Sequence, residues 1–217
     1  MNLTADKKKP ALVLGFYSSL VITILGVIYF IVILILFITG KNTIPPSTPI
    51  QLFGAIETIL MAPFLIIIFT SIHYIVSEDK KILSHLGIVF CSIFAVMVSI
   101  NRFVQLIVVR LSSIAGDLEG LKRFYPYQPD SAMFALEMVG WGVFLSIALF
   151  LVAFVFSFTG VQRYIRISFF LYAVLGIIGS IGLIAGSPIS AIGFVAWGFV
   201  LPVATALLSV FFRKFKT

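Results

Sequence analysis

Residues 11–38 read ALVLGFYSSLVITILGVIYFIVILILFI, a run without a single Asp, Glu, Lys or Arg. A helix crosses the hydrocarbon core of a bilayer with about 20 mostly apolar residues. This run exceeds that length, so its solvent is lipid. The preceding MNLTADKKKP is basic, as the start of a signal peptide would be. The run is nevertheless far longer than the roughly 7–15 apolar residues of a signal peptide, and no small-residue cleavage site follows it. It reads as a retained first helix, with Pro10 in its first turn, where a missing N–H costs nothing.

Five further runs have comparable length: 50–76, 83–109, 133–158, 165–185 and 189–212. They lack the dyad alternation of a membrane β-barrel. The expected fold is all-α: one integral membrane domain over 1–217, a polytopic bundle of six transmembrane helices. Composition agrees. Of the 217 residues, 61% are hydrophobic and 11% charged, against about 25% charged in soluble domains. The net charge of +7 would raise nucleic acid as a partner in a soluble protein. Here the basic residues flank apolar runs, so topology and lipid head groups explain them, and the bilayer is the expected partner. The single cysteine, Cys91, excludes an intrachain disulfide.

Basic residues also orient the chain. Lys7, Lys8, Lys9, Lys80, Lys81, Arg163, Arg166, Arg213, Lys214 and Lys216 fall on one side, and Lys41, Arg110, Lys122 and Arg123 on the other. The positive-inside rule then places both termini in the cytoplasm of a cell membrane protein. On that side the Asn2-Leu3-Thr4 sequon has no meaning. The first outer loop, GKNTIPPSTP, should be stiff and extended. In the longest connection, 110–130, Ile114, Leu118 and Leu121 at i, i+4 and i+7 suggest a short interfacial helix. Phe124, Tyr125 and Tyr127 beside it suit an aromatic anchor or, alternatively, a lid.

Three ionisable side chains lie inside apolar runs: Glu57, Arg102 and Glu137. At ~1.5 Å per residue they sit ~10, ~12 and ~6 Å below the same membrane surface. Each charge alone at the bilayer centre would cost roughly 2.5–3.5 kcal/mol, so such groups face a partner or a cavity. Arg102 can pair with one glutamate. The other is left to carry a proton, a cation or a ligand amine. Asn101 and Gln105 share a helix face with Arg102, and Trp141 lies one turn below Glu137. Gln51 and Thr58 add polarity. The competing reading is a static Glu–Arg–Glu brace.

Other features are weaker signals. Pro63 and Pro202 should kink their helices and free the carbonyls of Ile59 and Gly198. His73 and His85 can face each other across the second loop, as an interfacial pair more readily than as a haem or metal pair. Gly176, Gly179, Gly182 and Gly186, with Ser190, Gly193 and Ala196, predict a tight antiparallel hairpin of the last two helices. The same stripe would also serve between chains, so an oligomer stays open.

The stretches SINRFVQLIVVR and GDLEGLKRFYPYQPDSAMFALEMVGW resemble an uncharacterised group of prokaryotic multi-pass membrane proteins. The resemblance rests on Asn101, Gln105, Glu119, Pro126, Glu137 and Gly140, covers about a quarter of the chain, and implies no activity.

The leading functional expectation is binding or transport of a small-molecule, lipid or cation ligand in an outward-facing polar pocket. Glu57 and Glu137 would bind the proton or cation, Arg102 would be their partner, Asn101 and Gln105 would orient the ligand, and Trp141 would form a wall. A membrane-embedded enzyme acting on a lipid or isoprenoid through paired carboxylates is the alternative. Against it, no nucleophile elbow, H-E-x-x-H or phosphate loop is present, and no metal set or cofactor motif. An accessory or sensor subunit is the third possibility.

Overall fold

The structure, a computed structural model, describes residues 5–41, 47–117, 119–125, 128 and 130–214, with side chains from Lys9 onward. The Asn2 sequon, Pro45, Pro46, Leu118, Pro126, Tyr127 and Lys216 lie outside the described residues, as do the side chains of Lys7 and Lys8.

Among the described residues, six helices are long and apolar enough to cross a bilayer: α1 (Ala5–Ile38), α2 (Thr48–Ile75), α3 (Glu78–Ala115), α4 (Ala132–Ala153), α5 (Gly160–Ile184) and α6 (Pro188–Lys214). No strand occurs among the described residues. The chain is a multi-pass helical bundle of the membrane type.

Several helix ends differ from expectation: α1, α3 and α5 start at Ala5, Glu78 and Gly160 rather than near 11, 83 and 165, and two C-terminal ends shift as well. α3 continues past residue 109 until Gly116, whose φ of 77° closes it in the left-handed region. The expected interfacial helix therefore does not form as one unit. Ile114 belongs to the end of α3, while Leu121 starts a separate 3-10 turn, Leu121–Phe124, after Gly120 at φ 72°. Two left-handed glycines interrupt what the apolar spacing suggested. α4 stops at Ala153 rather than near 158. Beyond it, the Ser157 amide donates to Gln162 Oε1 at 3.0 Å, and Arg166 lies over the Phe158 ring at 3.9 Å.

Each helix packs on its neighbours in the chain, and α1 closes the circle against α6. Helices alternate in direction. Leu12, Ile72, Phe156 and Phe211 consequently line one cavity at the end that carries both termini. The opposite end, with the α1–α2, α3–α4 and α5–α6 connections, is called the site end below.

Close approach depends on small residues. A Cβ on Gly26 would lie 2.5 Å from the Pro202 ring, and one on Gly179 would lie 2.8 Å from Gly193 Cα. The α5–α6 hairpin is therefore tight, as expected. Gly176, however, faces Gly142 of α4 rather than α6. The glycine stripe thus serves two partners within one chain. Thr23 and Thr205 hydroxyls, 2.9 Å apart, join α1 to α6. α1 is otherwise peripheral: only 11% of its most apolar window is buried.

Candidate functional site

Among the described residues, three helices are locally widened into π turns: Gln105–Val109 in α3, Met138–Phe144 in α4 and Ala196–Val200 in α6. All three lie toward the site end. Such turns are rare and concentrate at functional sites, because the extra residue shifts side chains around the helix and leaves carbonyls without their usual partners. In α4 those carbonyls are met from α5. Tyr172 Oη donates to the Trp141 carbonyl at 3.1 Å, and Ser180 Oγ to the Met138 carbonyl at 3.2 Å. In α6 the π turn directly precedes Pro202, whose missing N–H disturbs the helix there. Pro63, by contrast, lies within an uninterrupted α2.

The three membrane-embedded charges meet beside these turns. Arg102 is 5% exposed and forms an ion pair with Glu137 Oε1, across from α3 to α4. It also donates to Gln105 Oε1 at 2.9 Å, and Gln105 Nε2 donates to Asn101 Oδ1 at 3.0 Å. The Gln105 amide is thereby fixed at both ends. Its orientation presents an acceptor to the guanidinium, which a cation needs when taken from water. Asn101 lies beside the Glu137 carboxyl. Glu137 Oε2 is buried and accepts no hydrogen bond among the described residues.

Glu57 behaves differently. It is 7% exposed. Among the described residues its carboxyl has neither a hydrogen bond nor an ion pair. It lines a cavity of about 20 Å³ with Arg102, Glu137, Trp141, Tyr29 and Trp197. That volume holds about one water-sized guest. Trp141 forms a wall, set edge-on against Phe94 at 4.6 Å and 6.0 Å from Trp197.

All six residues singled out in the sequence thus fall in one region: Glu57, Arg102 and Glu137 with Trp141 around the cavity, and Asn101 and Gln105 behind the arginine. Gly26 and Tyr29 of α1 and Trp197 of α6 complete the lining. Sequence reasoning confined the site to α2, α3 and α4 and missed them. Trp197, one of two tryptophans in the chain, was the available signal. Its relevance depends on α6 returning beside α1, which no local pattern encodes.

A larger cavity of about 590 Å³ adjoins the small one between α1, α2 and α6. Arg102, Tyr29 and Trp197 line both. At the opposite end of the bundle, His73 and His85 face each other with ring centroids 6.0 Å apart, and His73 Nδ1 lies 2.8 Å from Ser84 Oγ. Among the described residues no third metal-ligating side chain joins them.

Compared with protein-family models, curated proteins and solved structures, the chain matches none of them.

Proposed function

We propose that this protein binds or transports a small or amphiphilic ligand through the polar pocket at the site end of the bundle. In this reading Glu57 and Glu137 hold a proton or cation, and Arg102 is their charge partner. Asn101 and Gln105 orient the guanidinium and the ligand, while Trp141 and Trp197 wall the pocket. The excess of basic residues on the terminal side puts the termini in the cytoplasm and the pocket toward the outside.

One observation carries this reading. Glu57 is buried on the same cavity as a formed ion pair, yet among the described residues it accepts no hydrogen bond and forms no ion pair itself. A static brace would place both carboxylates on the guanidinium, because a lone buried charge is costly. Here Glu137 alone is ion-paired, which leaves Glu57 to take up a proton or a cation. The test is Glu57→Gln in the purified chain, assayed for ligand retention and for proton coupling in vesicles. The variant should lose one or both while remaining folded. Unchanged retention and coupling would reject the reading.

An enzyme acting on a lipid or isoprenoid is the second reading. It rests on Glu57 and Glu137 lining one cavity, the arrangement that an acid and base pair requires. New products after incubation with a lipid extract, lost in Glu57→Gln, would favour it.

A further inference from the structure

We infer that the guest is an amphiphile with an anionic head group, drawn sideways from the bilayer into the larger cavity, its head at Arg102 and its chain between α1, α2 and α6. This rests on the pocket reading above and names the class of ligand.

Charge comes first. Among the described residues, the charged ones that line the larger cavity are Lys41 and Arg102, both cations. Glu57 and Glu137 line the smaller cavity and not the larger one. A head group arriving through the larger cavity therefore meets positive charge before it meets either carboxyl. At short range in a medium of low dielectric constant, that order favours an anion and disfavours an ammonium head. Lys41 lies three residues beyond the end of the apolar α1, where a cation can collect the same anions from lipid head groups.

Shape is the second line. The cavity of about 590 Å³ falls within the ~300–1,000 Å³ of small-molecule sites. Apart from Arg102, Lys41, Ser47 and Gln51, its walls are mainly apolar and aromatic. A free inorganic anion would leave most of that volume unfilled, whereas an alkyl chain fills it.

Glycines supply an independent line. Most glycines within the spans sit where a Cβ would strike a neighbouring helix or side chain. Gly54 and Gly198 do not. A Cβ at either meets nothing within 4 Å among the described residues, and neither has a left-handed backbone. Glycine weakens a helix interior, so it needs a reason there. Both positions line the larger cavity, one from α2 and one from α6. Their missing side chains keep space open for something that is not this protein.

Access is the fourth line. α1 packs on α2 and on α6, yet only 11% of its most apolar window is buried. Phe37 of α1 and Phe199 of α6, 70% and 55% exposed, border the cavity where it meets lipid. A chain can enter there without crossing water.

The chain's two tryptophans, Trp141 and Trp197, both report on this region. The experiment uses the full chain in vesicles of zwitterionic phosphatidylcholine, with doxyl-labelled stearate as quencher. The same labelled chain with a trimethylammonium head is the comparison, and inorganic phosphate is the competitor. The carboxylate probe should quench tryptophan fluorescence saturably. The ammonium probe should bind at least about tenfold more weakly. Phosphate should not displace the carboxylate probe. The variant Gly54→Phe/Gly198→Phe, which fills the cavity without touching the ion pair, should abolish saturable quenching.

Equal binding of the two heads in the unmodified chain would overturn the inference, whether or not the filled variant folds. Displacement by phosphate alone would assign the site to a free anion and also overturn it. Undiminished quenching in a folded Gly54→Phe/Gly198→Phe variant would do the same. If the carboxylate probe fails while Glu57→Gln still alters retention or proton coupling, this inference falls and the pocket reading stands.

Discussion

The Arg102 guanidinium and the Glu137 carboxyl form an ion pair across the α3–α4 interface, with their side chains 6% and 3% exposed. Both side chains are almost wholly buried in that position, so each depends on the other. Arg102→Leu should destabilise the protein by about 3–5 kcal/mol, because Glu137 is left buried and alone. The double variant Arg102→Leu/Glu137→Leu should recover most of that loss, since no isolated charge remains. Unfolding in detergent, followed for the two single variants and the double, gives the coupling energy. A coupling near zero would contradict the buried pair.

Glu57 and Glu137 should respond oppositely to the same conservative change. Glu57→Gln removes a carboxyl that has no hydrogen bond or ion pair among the described residues, so stability should stay within about 1 kcal/mol of the parent or rise. Glu137→Gln removes the anion that Arg102 needs and should cost several times more. Thermal unfolding of both variants checks this. A large loss in Glu57→Gln would assign that residue to a structural brace instead.

Gly179 and Gly54 should also differ in sign. Gly179→Ala pushes a methyl group into the backbone of Gly193 and should cost about 1–3 kcal/mol through helix separation. Gly54→Ala meets open space inside a helix and should gain about 0.5–1 kcal/mol from the stiffer backbone. Equal effects in an unfolding assay would mean that the close α5–α6 contact is not formed.

Cys91 is fully buried and is the only cysteine in the chain, so the parent should resist an impermeant maleimide. Lys41→Cys should label in intact cells, and Lys214→Cys only after the membrane is opened, if the positive-inside rule holds. Labelling of both from one side would contradict the alternating spans. The reverse pattern would invert the topology and turn the pocket toward the cytoplasm.

Much of this molecule is legible in its sequence. The runs around 11–38 and 133–158 announce membrane helices because the bilayer punishes unpaired backbone and polar side chains at every position, so the pattern is local and repeated. For the same reason Glu57, Arg102 and Glu137 stood out as a candidate cluster: charge in an apolar run is conspicuous without knowing its neighbours. The helix ends near Gly116 and Ala153 were less legible. They depend on single turns and caps, whose energies are small beside those of a whole span.

The sequence by itself determined the helical bundle, its solvent and the polar level within it, since each follows from the transfer energy of residues along one helix. Only the tertiary structure decided that Glu137 rather than Glu57 takes the arginine, that Gly176 turns toward α4, and that α1 and α6 bring Tyr29 and Trp197 to the pocket. Those outcomes depend on how six helices rotate and close against one another. The packing contacts that set the rotation join residues far apart in the chain, and no periodicity within one helix records them.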